Sequence, residues 1–257
     1  MNFFTELKKN FRENPKSDTF FNNIFSFREF GNKTHGDMAE VLFDHYINKY
    51  LTKFNSTHIG KEKFRAKESE EDLEIQEKRS GKKFFLSLKN YGDNGPLQIR
   101  TDKENRLFNK LSKLSAEKKR VDKKSVLPIL KELLAIHVLC FLYNQKENRF
   151  RVCVIDTDAA LRKLSKIKKV NPNGRRKHPI YEFLDAKGNY IFEARYGGTT
   201  ANALQRGIWT KTHKAKDILD VLFEGEYEVN QKFLLAIKEL SLFGESELKR
   251  FLKRCGC

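Results

Sequence analysis

Two short runs flanking a turn constrain this chain most. Residues 68–76 read ESEEDLEIQ and residues 83–90 read KFFLSLKN, with Gly81 between them. Polar and apolar side chains alternate in both with the period of two that belongs to a β-strand. In the first run Leu73 and Ile75 take one face, while Glu70, Asp72 and Glu74 share the other. In the second, Phe84, Leu86 and Leu88 fall on one side, and Phe85, Ser87 and Lys89 on the other. Pairing them through residues 78–82 buries one apolar face and sets a row of carboxylates beside Ser87 and Lys89. Lys89, at the end of a strand among apolar neighbours, is costly to bury without a partner.

The rest of the chain reads as alternating helices and strands. Residues 1–30 scatter eight Phe among charges and suit short helices or loops packed on a core. Asn32–Gly36 reads as a break. From Asp37, DMAEVLFDHYINKYL has a helical period, with Met38, Val41, Leu42, Ile47 and Leu51 as its apolar stripe. Asp102 to about Arg120 is helical in composition. Pro128 suits the first turn of a helix running through ILKELLAIHVLCFLYN, which places His137 inside a buried helix. FRVCVID is a buried strand, ALRKLSKIKKV a basic amphipathic helix, NPNGRRKHP a loop, and Tyr190–Tyr196 another strand. Lys216 to Phe251 reads as helical with breaks near Gly225 and Gly244. This order predicts an α/β fold with a central mixed sheet flanked by helices, in a single domain over residues 1–257.

Charge narrows the function. The 257 residues carry 51 Lys and Arg against 34 Asp and Glu, formally +17, and such a surface attracts polyanions. An anionic membrane is the weaker choice, because no apolar run approaches the ~20 residues of a spanning helix. MNFFTELKKNFREN has no apolar h-region, and Cys140 and Cys153 read as buried small hydrophobes, so a reduced, cytoplasmic protein is expected. The terminal Cys255-Gly256-Cys257 reads as an ordinary tail.

Carboxylates in a row suit a hard divalent cation such as Mg²⁺, which neutralises phosphate and acidifies bound water. A neighbouring lysine can orient that water and counter developing charge. The combination points to phosphodiester hydrolysis, and the basic surface points to a nucleic-acid substrate.

DLEI, a short hairpin and then FLSLKNYGDNGPLQIRTDKE together resemble the catalytic core of type II restriction endonucleases of the PD-(D/E)xK nuclease superfamily. The resemblance implies a restriction-endonuclease-like core over about 36–200, with a leading helix, a three-stranded antiparallel meander, a helix and further strands. It matches Asp72 to the family's metal-binding Asp and Lys89 to its catalytic Lys, facing a metal-bound phosphate, with Asp72 balancing its charge when DNA is absent. Two positions depart from the pattern. Ser87 stands where an acid is usual, and Glu71 stands where the proline is usual. Some members supply the missing carboxylate from elsewhere. The candidates here are Glu40 on the leading helix, Glu104 at the opening of the next one, and Glu74 on the strand face of Asp72, in that order.

DNA contacts are expected from three segments. Tyr91, Gln98 and Arg100 follow Lys89 in a loop hinged at Gly92 and Gly95. Thr199, Thr200, Asn202, Gln205 and Arg206 follow the Gly197-Gly198 pair and include residue types that read base edges. Arg175 and Arg176, after the basic run 162–169, suit phosphate contacts. The expected activity is Mg²⁺-dependent, sequence-specific cleavage of double-stranded DNA, with a homodimer meeting a palindromic site. A cognate DNA methyltransferase is the partner implied by the resemblance. A structure-specific or repair nuclease of the same superfamily, and a non-catalytic nucleic-acid-binding protein, are the alternatives.

Overall fold

Leu139 and Phe141 point to one side of their strand, Val138, Cys140 and Leu142 point to the other, and all five are buried. A strand covered on both faces must be apolar along its length, and this one lies in the middle of the molecule. The computed structural model describes residues 3–59, 71–93, 95–117, 123–172, 178–196 and 206–243.

Eleven strands are described, in two sheets. The first contains β1 (Phe54–His58), β2 (Leu73–Glu77), β3 (Lys83–Gly92), β5 (His137–Asn144), β6 (Arg149–Ile155) and β11 (Leu219–Glu226), side by side in that order. All its pairs are antiparallel except β3 with β5, so the sheet is mixed. The second is antiparallel throughout and orders β4 (Pro96–Thr101), β10 (Gly207–Lys211), β9 (Tyr190–Arg195), β8 (Ile180–Leu184) and β7 (Lys166–Val170).

Helices cover one face of the first sheet. In α1 (Phe3–Glu13), Phe3, Leu7 and Phe11 recur every four residues and are buried. α2 (Ser17–Ser26) adds Phe21, Ile24 and Phe25, and α3 (Asn32–Tyr50) adds Ala39, Phe43, Tyr46 and Ile47. These meet Leu73, Ile75, Leu86, Leu88, Leu139 and Phe141 from the sheet. Each such side chain taken wholly out of water contributes about 1.5–3 kcal/mol. On the opposite face, Val138, Cys140, Leu142, Cys153 and Ile155 pack against the second sheet and against α4 (Arg106–Ala116), α5 (Lys123–Leu133) and α6 (Thr157–Lys163). The architecture is therefore α/β with a mixed central sheet and flanking helices. α7 (Gln231–Phe243) follows β11.

Several sequence expectations are corrected. The break before the leading helix is at Gly31, whose φ of 100° suits glycine, and Asn32–Gly36 already belongs to α3. Val41 is 44% exposed, whereas Ile47 and Leu51 of the expected stripe are buried and are joined by Ala39, Phe43 and Tyr46. Pro128 is inside α5, not in its first turn, and the helix ends at Leu133. HVLCFLYN is β5, and His137 is its first residue. The basic run expected to be one helix divides into α6 and the edge strand β7. The C-terminal stretch opens with a single 3-10 turn, Lys216–Ile218, and then runs as β11, and its helix starts only at Gln231. Continuous apolarity and alternating Lys fit either period over short runs, which is why these segments were open to misreading.

Candidate active site

Asp72 stands at the point where β2 stops pairing with β3. Its carbonyl accepts the Ile59 amide at 2.9 Å and its own amide donates to the Leu86 carbonyl at 3.0 Å. Its carboxylate then takes over as acceptor from β3. Oδ2 receives the Leu88 amide at 2.6 Å and the Ser87 hydroxyl at 3.1 Å. Leu73 and Ile75, buried against the helical layer, set the register that turns Asp72 to the other face, beside Ser87.

Lys89 is two residues beyond Ser87 and shares its face. The parallel register sets it opposite Cys140 and sets Ser87 opposite Val138, both in the core between the sheets. Asp72 and Lys89 thus come from neighbouring strands and project to one side of the sheet. Lys89 is half-buried, and among the described residues it has no ion-pair partner, so the expected Asp72–Lys89 pairing is not made. Burial holds the Cys140 thiol well above its ordinary pKa, with the nearby Lys89 charge as a smaller opposing influence.

Each of the three further carboxylates has a basic partner of its own. Glu40 is on α3, and its Oε2 lies 3.3 Å from His58 Nε2 at the end of β1. Glu74 shares the strand face of Asp72 but pairs with Lys83 at 2.8 Å, towards the turn. Glu104 lies two residues ahead of α4, is 80% exposed and is 3.8 Å from Arg106. Glu71, which the sequence reading treated only as a replacement for proline, has Oε1 3.8 Å from Arg100 Nη2 of β4. Among the described residues, no three His, Cys, Asp or Glu side chains are grouped closely enough to enclose a cation. Mg²⁺ asks for less, because it is commonly held by one or two carboxylates together with waters and substrate phosphate. Asp72 fits as such a carboxylate, its orientation being fixed by two donors on one oxygen.

The expected DNA contacts divide. Thr199, Thr200, Asn202, Gln205, Arg175 and Arg176 lie outside the described residues. Tyr91 packs partly against the inter-sheet core, and burial raises its pKa. The turn at Gly92–Gly95, closed by a 3.1 Å bond from the Gly95 amide to the Gly92 carbonyl, passes the chain from one sheet to the other. Gln98 and Arg100 are therefore in β4, not in a loop. Gln98 Nε2 donates to the Arg206 carbonyl at 3.1 Å, and Arg206 leads into β10. His35, for which no role was expected, is 2% exposed, and its pKa is lowered to about 4 by burial and by the Arg28 charge.

Sequence reading also passed over Glu193, a fully buried acid in β9 bound by Arg195, Lys211 and Tyr190. Its signal was present in the strand IFEAR, where an acid and an arginine share one face at spacing two. No protein-family model, curated protein or solved structure matches this chain.

Proposed function

We propose that the chain is a Mg²⁺-dependent endonuclease that cleaves double-stranded DNA at specific sequences, a restriction enzyme of type II. One observation carries the reading: a carboxylate oriented by two donors and a half-buried lysine with no ion-pair partner among the described residues project to the same side of two adjacent strands. Such a lysine is unfavourable for stability alone and useful only if an anion meets it. The formal charge of +17 makes a polyanion the natural one. The order implied by the resemblance has counterparts in α3, the antiparallel meander β1–β2–β3, α4 and α5, and then β5 and β6, which supports the same reading.

Each residue then has a task. A bound Mg²⁺ would neutralise phosphate charge and supply an acidified water. Asp72 is its carboxylate ligand, with Glu71, Glu40, Glu74 and Glu104 as candidates for a second. Ser87 and the Leu88 amide keep Asp72 from turning away. Lys89 orients the attacking water and offsets charge that develops at the phosphate. A homodimer would meet a palindromic site, and a methyltransferase would protect the host's own sites.

Phage DNA incubated with the protein and Mg²⁺, followed by sequencing of fragment ends, tests the proposal. Discrete fragments with a common end sequence are expected, and Asp72→Ala and Lys89→Ala should yield none. Random ends would indicate a nuclease without site specificity. Intact DNA would leave a binding protein without catalysis and end the proposal.

A further inference from the structure

The second sheet turns one face to the core and the other away from it. On that other face, one row of register partners crosses all five strands: Lys168, Glu182, Glu193, Trp209 and Gln98. Glu193 in the middle is 0% exposed. A carboxylate so buried is costly unless charged partners and hydrogen bonds surround it. Three donors do so. Arg195 Nε binds Oε1, while Lys211 Nζ and the Tyr190 hydroxyl each lie 3.2 Å from Oε2.

The face carries more positive than negative charge: Arg195 and Lys211 enclose Glu193, Glu182 beside it lies opposite Lys168, and Lys166 adds a further cation. The Arg195 and Lys211 side chains remain 28% and 26% exposed, so their outer ends reach water. Arg195 is engaged through Nε. Among the described residues its two terminal nitrogens donate to no protein atom, which leaves the planar fork of the guanidinium facing outward. The Trp209 ring backs this guanidinium at 5.0 Å, and the Tyr190 ring backs Lys211 at 5.4 Å. A fork held from behind by a carboxylate and an aromatic ring is pre-set for a bidentate anion such as phosphate. The exposed Lys166 and Lys168 extend the positive face along β7. At its other edge, Arg100 reaches Glu71, the neighbour of Asp72.

We propose that this face is a duplex-DNA contact surface. Arg195 and Lys211 grip the phosphate backbone, and Glu193 acts as a positioning residue that fixes their direction. The choice of DNA as the polyanion rests on the nuclease reading; the surface itself does not.

Trp209 is the chain's one tryptophan and reports on this face directly. The test titrates the full protein with a mixed-sequence DNA duplex in EDTA, following Trp209 emission and the anisotropy of a labelled duplex over a range of salt. Emission of the unaltered protein should change as DNA binds. Arg195→Ala and Lys211→Ala should each weaken binding about 5- to 10-fold and lower the salt slope by about 0.9. Arg195→Lys should restore the slope but not the affinity, because it keeps charge and loses the fork. Removing Arg195 strips a partner from a buried acid, so the double variant Lys166→Ala/Lys168→Ala, on an exposed strand, gives an independent reading: weaker binding and a slope lower by about 2. Unchanged emission with unchanged affinity and slope in these variants overturns the proposal, as does a Trp209 response to duplex RNA but not to DNA. Cleavage with Mg²⁺ but no response on this face would remove this surface alone. Binding here without cleavage would remove the nuclease reading alone.

Discussion

Ser87 Oγ and the Leu88 amide donate to the same oxygen of Asp72, at 3.1 and 2.6 Å. The orientation of that carboxylate is thus set mainly by the backbone of β3, with the hydroxyl as a second restraint. Ser87→Ala removes only the second. Cleavage should fall by about tenfold and stability by about 1 kcal/mol, the net worth of one hydrogen bond. Asp72→Asn keeps an acceptor for the Leu88 amide but removes the charge, so cleavage should fall to background while the unfolding midpoint moves little. Single-turnover rates and urea unfolding separate the two effects. If Ser87→Ala costs as much activity as Asp72→Asn, the hydroxyl itself takes part in the chemistry.

Lys89 should behave as a residue kept for function at the expense of stability. It is half-buried, opposite the fully buried Cys140, and has no ion-pair partner among the described residues. Lys89→Met keeps the length of the side chain and removes the charge. Stability should stay level or rise by up to about 1 kcal/mol, because an unpaired ammonium is no longer kept from water. Cleavage should fall by at least about 100-fold. A variant that loses stability and still cleaves would show the opposite allocation and remove Lys89 from the site.

The paired alternation of 72–76 and 83–90 was legible because one face of each strand is buried and the other is polar. Period, register and the shared face of Asp72 and Lys89 all follow from Leu73, Ile75, Leu86 and Leu88. β5 was not legible, because both its faces are covered and nothing in HVLCFLYN alternates. β7 was hidden by its lysines, which stay solvated on an edge strand as readily as on a helix. Of the second sheet, only β9 was legible as a strand, and the pairing that assembles the sheet was not. Its pairing of β4 with β10 joins segments about a hundred residues apart, a distance over which periodicity says nothing. The destinations of Glu40 and Glu74 were equally hidden, since their partners His58 and Lys83 are fixed by packing and register.

Gly207 is where the two halves of that long-range pairing touch. Its φ is 130°, and a Cβ there would come within 2.8 Å of the Asp102 amide nitrogen and 2.9 Å of Thr101 Cα. Backbone cannot yield as a flexible side chain would. Gly207→Ala should therefore cost at least about 2–3 kcal/mol, from unfavourable φ and overpacking together. The break falls between Arg206 and Trp209, so DNA binding should weaken along with stability. Urea unfolding monitored by Trp209 emission measures the loss. A variant as stable as the parent would mean that β4 and β10 do not approach this closely.

His35 should make the fold acid-sensitive. It is buried beside Phe25, Tyr143 and the Arg28 guanidinium, and its Nε2 has no hydrogen-bond partner among the described residues. Burial first and the Arg28 charge second lower its pKa from 6.5 to about 4. The sign follows from proton counting. Below pH 6.5 the unfolded chain takes up a proton that the folded chain refuses until about pH 4. Stability is therefore full above the unfolded value and declines as pH drops through this window. At about 1.4 kcal/mol per unit, the loss from His35 between pH 7 and pH 5 comes to about 2 kcal/mol. His35→Leu removes the titration and keeps the site apolar. Urea midpoints at pH 7 and pH 5 should show the parent losing about 2 kcal/mol more than the variant over that interval. Parallel losses in the two proteins would mean that His35 is protonated as readily in the fold as outside it.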